Sequence, residues 1–196
     1  MKITLLFALS LVLAQSCNNV PEAKEKESPK PEKEKKVFFP VSEYLKGQLF
    51  EISNKGLTPV KYVTIHDHTD SAWLKPQDFN EAFKEFLRPE IDSTNLTAFF
   101  TETRFLDQTI NAFTFSYDAI GQLPDTMTLK HWDVYVNPET GKVKRIYLVK
   151  NNGSGKTLQL TWIGDRSCKV ITIAEEPNGN SYIEKEEKIN WDFNTP

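Results

Sequence analysis

The sequence predicts an α+β domain in which two N-terminal helices pack on one face of a curved antiparallel β-meander sheet. Three observations support this prediction: apolar residues recur at helical spacing before residue 90, strand-like patterning follows residue 95, and short turns separate those strands. Because no helix-length segment lies between the strands that follow residue 95, we expect those strands to pair antiparallel. The two helices are then available to cover one face of the sheet.

Helical periodicity occurs in two segments. Ser42 is suited to cap the first helix, and Gly56 is suited to end it. Pro76 fits the first turn of the second helix, which Pro89 terminates. The bulky residues of this second helix share one face: Phe79, Phe83, Phe86 and Leu87. The simplest interpretation of this face is packing against the sheet.

Eight strands are predicted from β-branched and aromatic residues. One lies between the helices at residues 59–66, and the others follow at 97–105, 110–118, 130–137, 142–150, 157–163, 168–174 and 181–189. Turns rich in Asn, Pro and Gly separate several of these strands and favour hairpins. The segment Gly153–Thr157 resembles a phosphate-binding loop in composition. A strand rather than a helix follows it, so we interpret it as a hairpin turn.

The first sixteen residues have the pattern of an export signal. Lys2 precedes the apolar run Ile3–Leu13, which is too short to span a bilayer as a helix, and small residues lead to Cys17. This order resembles the lipobox of bacterial lipoproteins. The resemblance implies that Cys17 is acylated and that the mature chain is anchored in the lipid bilayer. An ordinary secretory signal, releasing a protein that begins at Cys17, is the alternative interpretation.

Composition divides the rest of the chain at residue 36. Residues 18–36 contain six Lys, five Glu, three Pro and no aromatic residue, which predicts a disordered tether. We therefore expect a signal peptide over 1–16, the lipidated cysteine and tether over 17–36, and a single globular domain over 37–196. That domain has 17 Lys and Arg against 22 Asp and Glu, a net charge of −5. A negative charge argues against nucleic acid as a partner, since phosphate binding requires a basic surface.

His66 and His68 form the one metal-like pattern in the chain. Residues i and i+2 of a strand share a face, so both imidazoles could bind one zinc ion, with Asp70 or His131 as a third ligand. Such a site would suit metal-assisted hydrolysis. The alternative is a polar loop after a strand. No cofactor is predicted by any other motif.

The remaining polar candidates are weaker. Asp-Ser or Asp-Thr followed by a small or apolar residue resembles a periplasmic O-glycosylation signal, and it occurs at Ser71, Ser93 and Thr126. Cys168 alternates with Val170 in a predicted strand and is interpreted as a buried small hydrophobe rather than a nucleophile. The carboxylates of residues 184, 186 and 187 are interpreted as solvated charge, and no catalytic residue is assigned.

As a whole, the chain resembles the envelope lipoproteins that are abundant in some Gram-negative bacteria, which implies an outer-membrane anchor facing the periplasm. Because the sequence contains no recognised catalytic motif, we expect a non-catalytic binding module for a protein, peptide or lipid-like ligand. Two alternatives stay open: a metal-assisted hydrolase using His66 and His68, and a protein that inhibits an enzyme with the outer face of its sheet.

Overall fold

The computed structural model describes residues 37–192, most of which belong to one antiparallel sheet of nine strands. The strands are β1 Val60–Ile65, β2 His68–Trp73, β3 Phe100–Asp107, β4 Ala112–Ala119, β5 Leu129–Val136, β6 Val143–Asn151, β7 Thr157–Ile163, β8 Ser167–Glu175 and β9 Ser181–Asn190. The helices are α1 Val41–Asn54, α2 Phe79–Ala82 and α3 Lys84–Leu87, with a 3₁₀ turn at Pro76–Asp78. The predicted signal peptide, Cys17 and the tether lie outside the described residues.

The predicted fold class is wrong, because the described part of the chain is largely β rather than α+β. Only the first of the two expected helices forms over its full length. The second breaks at Phe83, whose backbone leaves the helical region with φ −107° and ψ 7°. Phe83 is fully buried, and its ring packs against Trp162 and Trp191. This tertiary packing overrides the helical preference of residues 76–87 and leaves short turns in place of one helix.

The antiparallel meander is confirmed. Each strand from β3 to β8 pairs with the next strand along the chain, and β9 also pairs with β1, giving the order β2-β1-β9-β8-β7-β6-β5-β4-β3. The hairpin of β1 and β2 therefore extends the sheet beyond β9. The second strand of that hairpin, β2, was not among the predicted strands.

One face of the sheet holds the core. The ring of Tyr117 stacks on Trp132 with 4.5 Å between centroids, and Phe83 and Phe86 contact Trp162. The buried side of α1 joins the same cluster. On the opposite face, β5 to β8 carry half-buried residues such as Tyr147 and Thr161. Within residues 37–192, no helix is long and apolar enough to cross a membrane.

Candidate ligand cleft

A cleft of about 770 Å³ lies between residues 76–87, here called the helical segment, and the strands at one end of the sheet. The helical segment is short and broken. Its contacts with Trp162 and Lys150 place it over β7 and β6. Ala82 and Phe86 of this segment line the cleft together with Val170 of β8 and Ile189 of β9. A space of this size accommodates a small organic molecule or a short peptide.

The floor of the cleft is mostly apolar. Strand pairing sets Cys168 opposite Ile189, and Val170 and Leu158 follow on the same face. All four residues are buried. Burial raises the pKa of the Cys168 thiol, so this side chain stays protonated and acts as an apolar floor residue. The predicted burial of Cys168 beside Val170 agrees with this arrangement.

Lysine–carboxylate pairs form the rim of the cleft. Glu187 Oε1 accepts from Lys61 Nζ at 2.7 Å, and its Oε2 accepts from Lys185 Nζ at 2.7 Å. Lys156 Nζ lies 2.5 and 2.6 Å from the two carboxylate oxygens of Glu184. Burial opposes ionisation of Glu187, but hydrogen bonds from Lys185 and Lys61 hold its pKa below the ordinary value. The rim therefore presents positive and negative groups side by side.

Sequence reasoning did not identify this rim, because the carboxylates of β9 were interpreted as solvated charge. A signal was present in the alternation of that strand: Lys185 and Glu187 share the face of Ile189, which is buried. Charged residues that are two or four positions from a core residue lie on the same face of the strand, so they show where that face changes from apolar to polar.

A buried ion pair fixes the helical segment beside the cleft. Lys150 is 4% exposed, and its ammonium donates to the Glu85 backbone oxygen at 2.8 Å and to Glu85 Oε2 at 2.7 Å. Lys150 extends from β6 on the helix-bearing face, and Glu85 belongs to α3. The two hydrogen bonds satisfy a charge that would otherwise be costly to bury.

A second polar cluster lies on the opposite face of the sheet. His131 Nδ1 is 2.9 Å from Asp118 Oδ1, and His131 Nε2 is 3.1 Å from Asp133 Oδ2. Asp133 also accepts hydrogen bonds from the hydroxyls of Ser116 at 2.6 Å and Tyr135 at 3.1 Å. Ser116 is bonded to the carboxylate rather than to the imidazole, so this cluster does not have the serine–histidine contact that nucleophilic catalysis requires.

The two predicted metal ligands are exposed at the β1–β2 hairpin. His66 lies in the turn with φ 53°, and His68 begins β2. Because His66 is not part of a strand, the alternation argument for a shared face does not apply to this pair. His68 Nε2 lies 3.2 Å from Asp70 Oδ1, whereas His131 contacts carboxylates of β4 and β5. Residues 37–192 contain no group of three or more His, Cys, Asp or Glu placed to hold a metal ion.

The three candidate glycosylation residues have different surroundings. Ser71 is exposed, but it lies in β2 rather than in the expected loop. Ser93 is half-buried, and its Oγ accepts a hydrogen bond from the Phe38 backbone N–H at 2.7 Å. Thr126 is exposed in a turn. Ser71 and Thr126 are therefore exposed and Ser93 is not, and glycosylation stays a prediction.

The glycine-rich segment after β6 is a hairpin turn. Asn151 and Thr157 pair across it, and the strand β7 follows directly. Comparison with known proteins adds no relative: no protein-family model, curated protein or solved structure matches this chain.

Proposed function

We propose that this chain is an exported, lipid-anchored binding module of the bacterial envelope, and that its ligand is a short zwitterionic peptide held in the cleft. The observation that carries the proposal is the combination of an apolar floor with a rim of both charges. The lipobox-like sequence ending at Cys17 supports the anchor. No catalytic residue is assigned, and the role is binding.

The chemistry of a peptide matches the cleft in two respects. Apolar side chains of the ligand would pack on the buried floor and against Trp73, which also lines the cleft and is 65% exposed. Covering Trp73 would give about 25 cal/mol per Å² of apolar surface removed from water. The terminal ammonium and carboxylate of the ligand would exchange with the rim pairs of Glu187 and Glu184. A purely apolar ligand would leave these charges paired only with each other and would gain nothing from them.

Calorimetric titration with trileucine tests the proposal on the intact protein. We expect trileucine with free termini to bind, and trileucine acetylated at its amino end and amidated at its carboxyl end to bind at least tenfold more weakly. Ala82→Trp places an indole in the cleft, and we expect it to reduce the affinity at least tenfold. Lys185→Glu reverses one rim charge at a partly exposed position and is expected to weaken binding without filling the cleft.

Thr161→Trp is the matched control, because Thr161 lies on the opposite face of the sheet. It should leave the affinity for trileucine unchanged. Absence of binding by trileucine, or equal affinity in the Ala82→Trp variant, would contradict the cleft as a peptide site.

The anchor has a separate test. Intact-mass measurement of the protein extracted from its own envelope should give an N-terminus at Cys17 with two or three acyl chains. A mass that begins at Cys17 without acyl groups would support the ordinary secretory signal instead. Loss of the anchor in this experiment leaves the peptide titration unaffected, so the two parts of the proposal fail independently. The metal-assisted hydrolase and the enzyme inhibitor stay predictions, since no contact described above favours either.

A further inference from the structure

Strand β3 is the last strand of the sheet at the end remote from the cleft. It pairs with β4 over all eight of its residues without a register shift, and no other strand of the described residues borders it. The backbone groups on its outer side therefore face away from the sheet. An edge of this kind is a template for pairing with another strand.

Proteins usually protect such an edge with a short strand, a lysine, a proline or a bulge. Strand β3 is eight residues long and has no lysine, proline or bulge; its sequence is Phe-Thr-Glu-Thr-Arg-Phe-Leu-Asp, and its charged residues are Glu102, Arg104 and Asp107. The opposite edge differs: β2 is six residues long, exposed throughout and rich in polar side chains. On β3, Phe105 and Leu106 are 46% and 49% exposed, so the unprotected edge also carries apolar surface.

The sequence of β3 is complementary to itself in one register. When two copies of an edge strand pair antiparallel, a two-fold axis relates them. A residue whose backbone N–H and C=O point outward must lie opposite a residue of the same kind, so the residue on the axis lies opposite its own copy. An axis at Glu102 sets two carboxylates opposite each other, and an axis at Arg104 sets two guanidiniums opposite each other. An axis at Thr103 sets Glu102 of each copy opposite Arg104 of the other, which is favourable.

We propose that two copies of this chain associate through β3, with Thr103 on the two-fold axis, to form one continuous sheet of eighteen strands. Within each copy Arg104 already contacts Glu102, so pairing creates a two-by-two cluster of alternating charges on the helix-bearing face. On the opposite face, Phe105 of one copy covers Thr101 of the other. The clefts lie at the far ends of the combined sheet and stay open, so this inference does not rest on the proposed peptide site.

Sedimentation of the detergent-solubilised full-length protein gives the first test. We expect a concentration-dependent equilibrium between monomer and dimer.

Single cysteine substitutions at Thr101, Thr103 and Phe105, which are all exposed on one face of β3, test the register under mild oxidation. Thr103→Cys sets the two sulfurs directly opposite each other, whereas Thr101→Cys separates the two Cα atoms by roughly 13 Å along the strands, which is too far for a disulfide.

We expect the Thr103→Cys dimer to cross-link at least tenfold faster than the Thr101→Cys or Phe105→Cys proteins. The unsubstituted chain measures the background from its own cysteines. Arg104→Glu sets carboxylates opposite each other twice in the dimer and should weaken association about tenfold or more. Lys142→Glu makes the same change of charge in the exposed turn between β5 and β6 and should leave association unchanged.

A protein that sediments as a monomer up to about 100 μM would overturn the inference. Faster cross-linking at residue 101 or 105 than at residue 103 would also overturn the proposed register. An association that Arg104→Glu and Lys142→Glu weaken equally would show net-charge repulsion rather than pairing along β3.

Discussion

At the scale of single residues, His131 is the side chain whose state depends most directly on its neighbours. Both ring nitrogens face carboxylate oxygens, those of Asp118 and Asp133, so both are placed to donate. Only the imidazolium has two N–H donors. The hydrogen bond to Asp133 is the main cause that raises the pKa of His131 above the ordinary value of 6.5, with burial opposing it.

This geometry predicts that the contribution of His131 to the free energy of unfolding falls as the pH rises. The pKa of His131 is higher in the folded state, so its contribution is complete below pH 6.5 and is lost as the pH passes through the folded pKa. His131→Gln should lower the free energy of unfolding by about 1 kcal/mol at pH 6 and much less at pH 9. Urea denaturation of both proteins between pH 5.5 and 9 measures the difference.

His68→Gln is the control for this pH dependence. His68 also lies beside a carboxylate, that of Asp70, but both side chains are more than 80% exposed. Solvent screens such a pair, so its removal should leave the pH profile of stability unchanged. An equal change in both variants would refute a specific role for the His131 pairing.

Residues differ in how far the sequence alone predicts their surroundings. Strand alternation was sufficient to predict that Cys168 is buried beside Val170. Alternation could not predict the partners of His131, because Asp118 belongs to another strand and becomes its neighbour only through the register of β4 with β5. For the rim of the cleft, alternation places Glu187 in phase with buried Ile189, but it could not predict the partner Lys61, which is far from Glu187 in sequence.

At the scale of elements, the helical segment depends on tertiary contacts for its position. Its two α-helical turns have four residues each, which is far too short for a helix to be stable by itself. Phe83 and Phe86 pack on Trp162, and Lys150 of β6 bonds to Glu85. One wall of the cleft is therefore held by a few side chains.

Glu85→Ala should destabilise the fold more than its surface exposure suggests. The substitution leaves the Lys150 ammonium buried with only the backbone oxygen of residue 85 as a partner. We expect a loss of about 2 kcal/mol in the free energy of unfolding, below the roughly 3–5 kcal/mol that a fully buried broken ion pair costs, because Glu85 is itself partly exposed and its backbone oxygen stays bonded to Lys150. Equilibrium denaturation in urea gives this value.

Glu81→Ala is the matched comparison within the same segment. Glu81 pairs with Lys84 at 2.5 Å, but both side chains are more than half exposed. Its loss should cost much less than the loss of Glu85, because solvent screens an exposed pair. Equal effects of the two substitutions would mean that the Lys150–Glu85 pair does not anchor the segment.

Elements were predictable where turn chemistry marked their ends. The turn at residues 151–157 separates β6 from β7, and the predicted bounds of β7 agree with those observed. Strand β2 was missed because its sequence, His-Thr-Asp-Ser-Ala-Trp, is polar and exposed on both faces and so shows no alternation. The second helix was overestimated, because its apolar periodicity is real but packing on Trp162 breaks it at Phe83.

At the scale of the whole molecule, the sheet depends on a pairing between distant parts of the chain. Strand β1 bonds to β9, so residues near 60 lie beside residues near 190. Hairpin connections predicted the meander from β3 to β9, but no local pattern could predict that β1 joins the end of it. This single long-range pairing places Lys61 beside Glu187 and so completes the rim of the cleft.

A proline in β9 should therefore have a larger effect than a proline at the edge of the sheet. Lys188 is exposed, yet its residue pairs with Lys169 on one side and Tyr62 on the other. Lys188→Pro removes a ladder donor and distorts two strand pairs, and we expect it to cost about 3 kcal/mol or more. Ser71→Pro in β2 distorts only the pair with β1 and should cost clearly less. Thermal unfolding followed by near-ultraviolet circular dichroism, which reports the buried tryptophans, compares the two variants.

Since β9 connects the N-terminal hairpin to the rest of the sheet, Lys188→Pro should also expose the hairpin of β1 and β2 to limited proteolysis, while Ser71→Pro should leave β8 and β9 protected. Equal melting temperatures and equal proteolysis would mean that the β1–β9 pairing contributes little to the stability of the molecule.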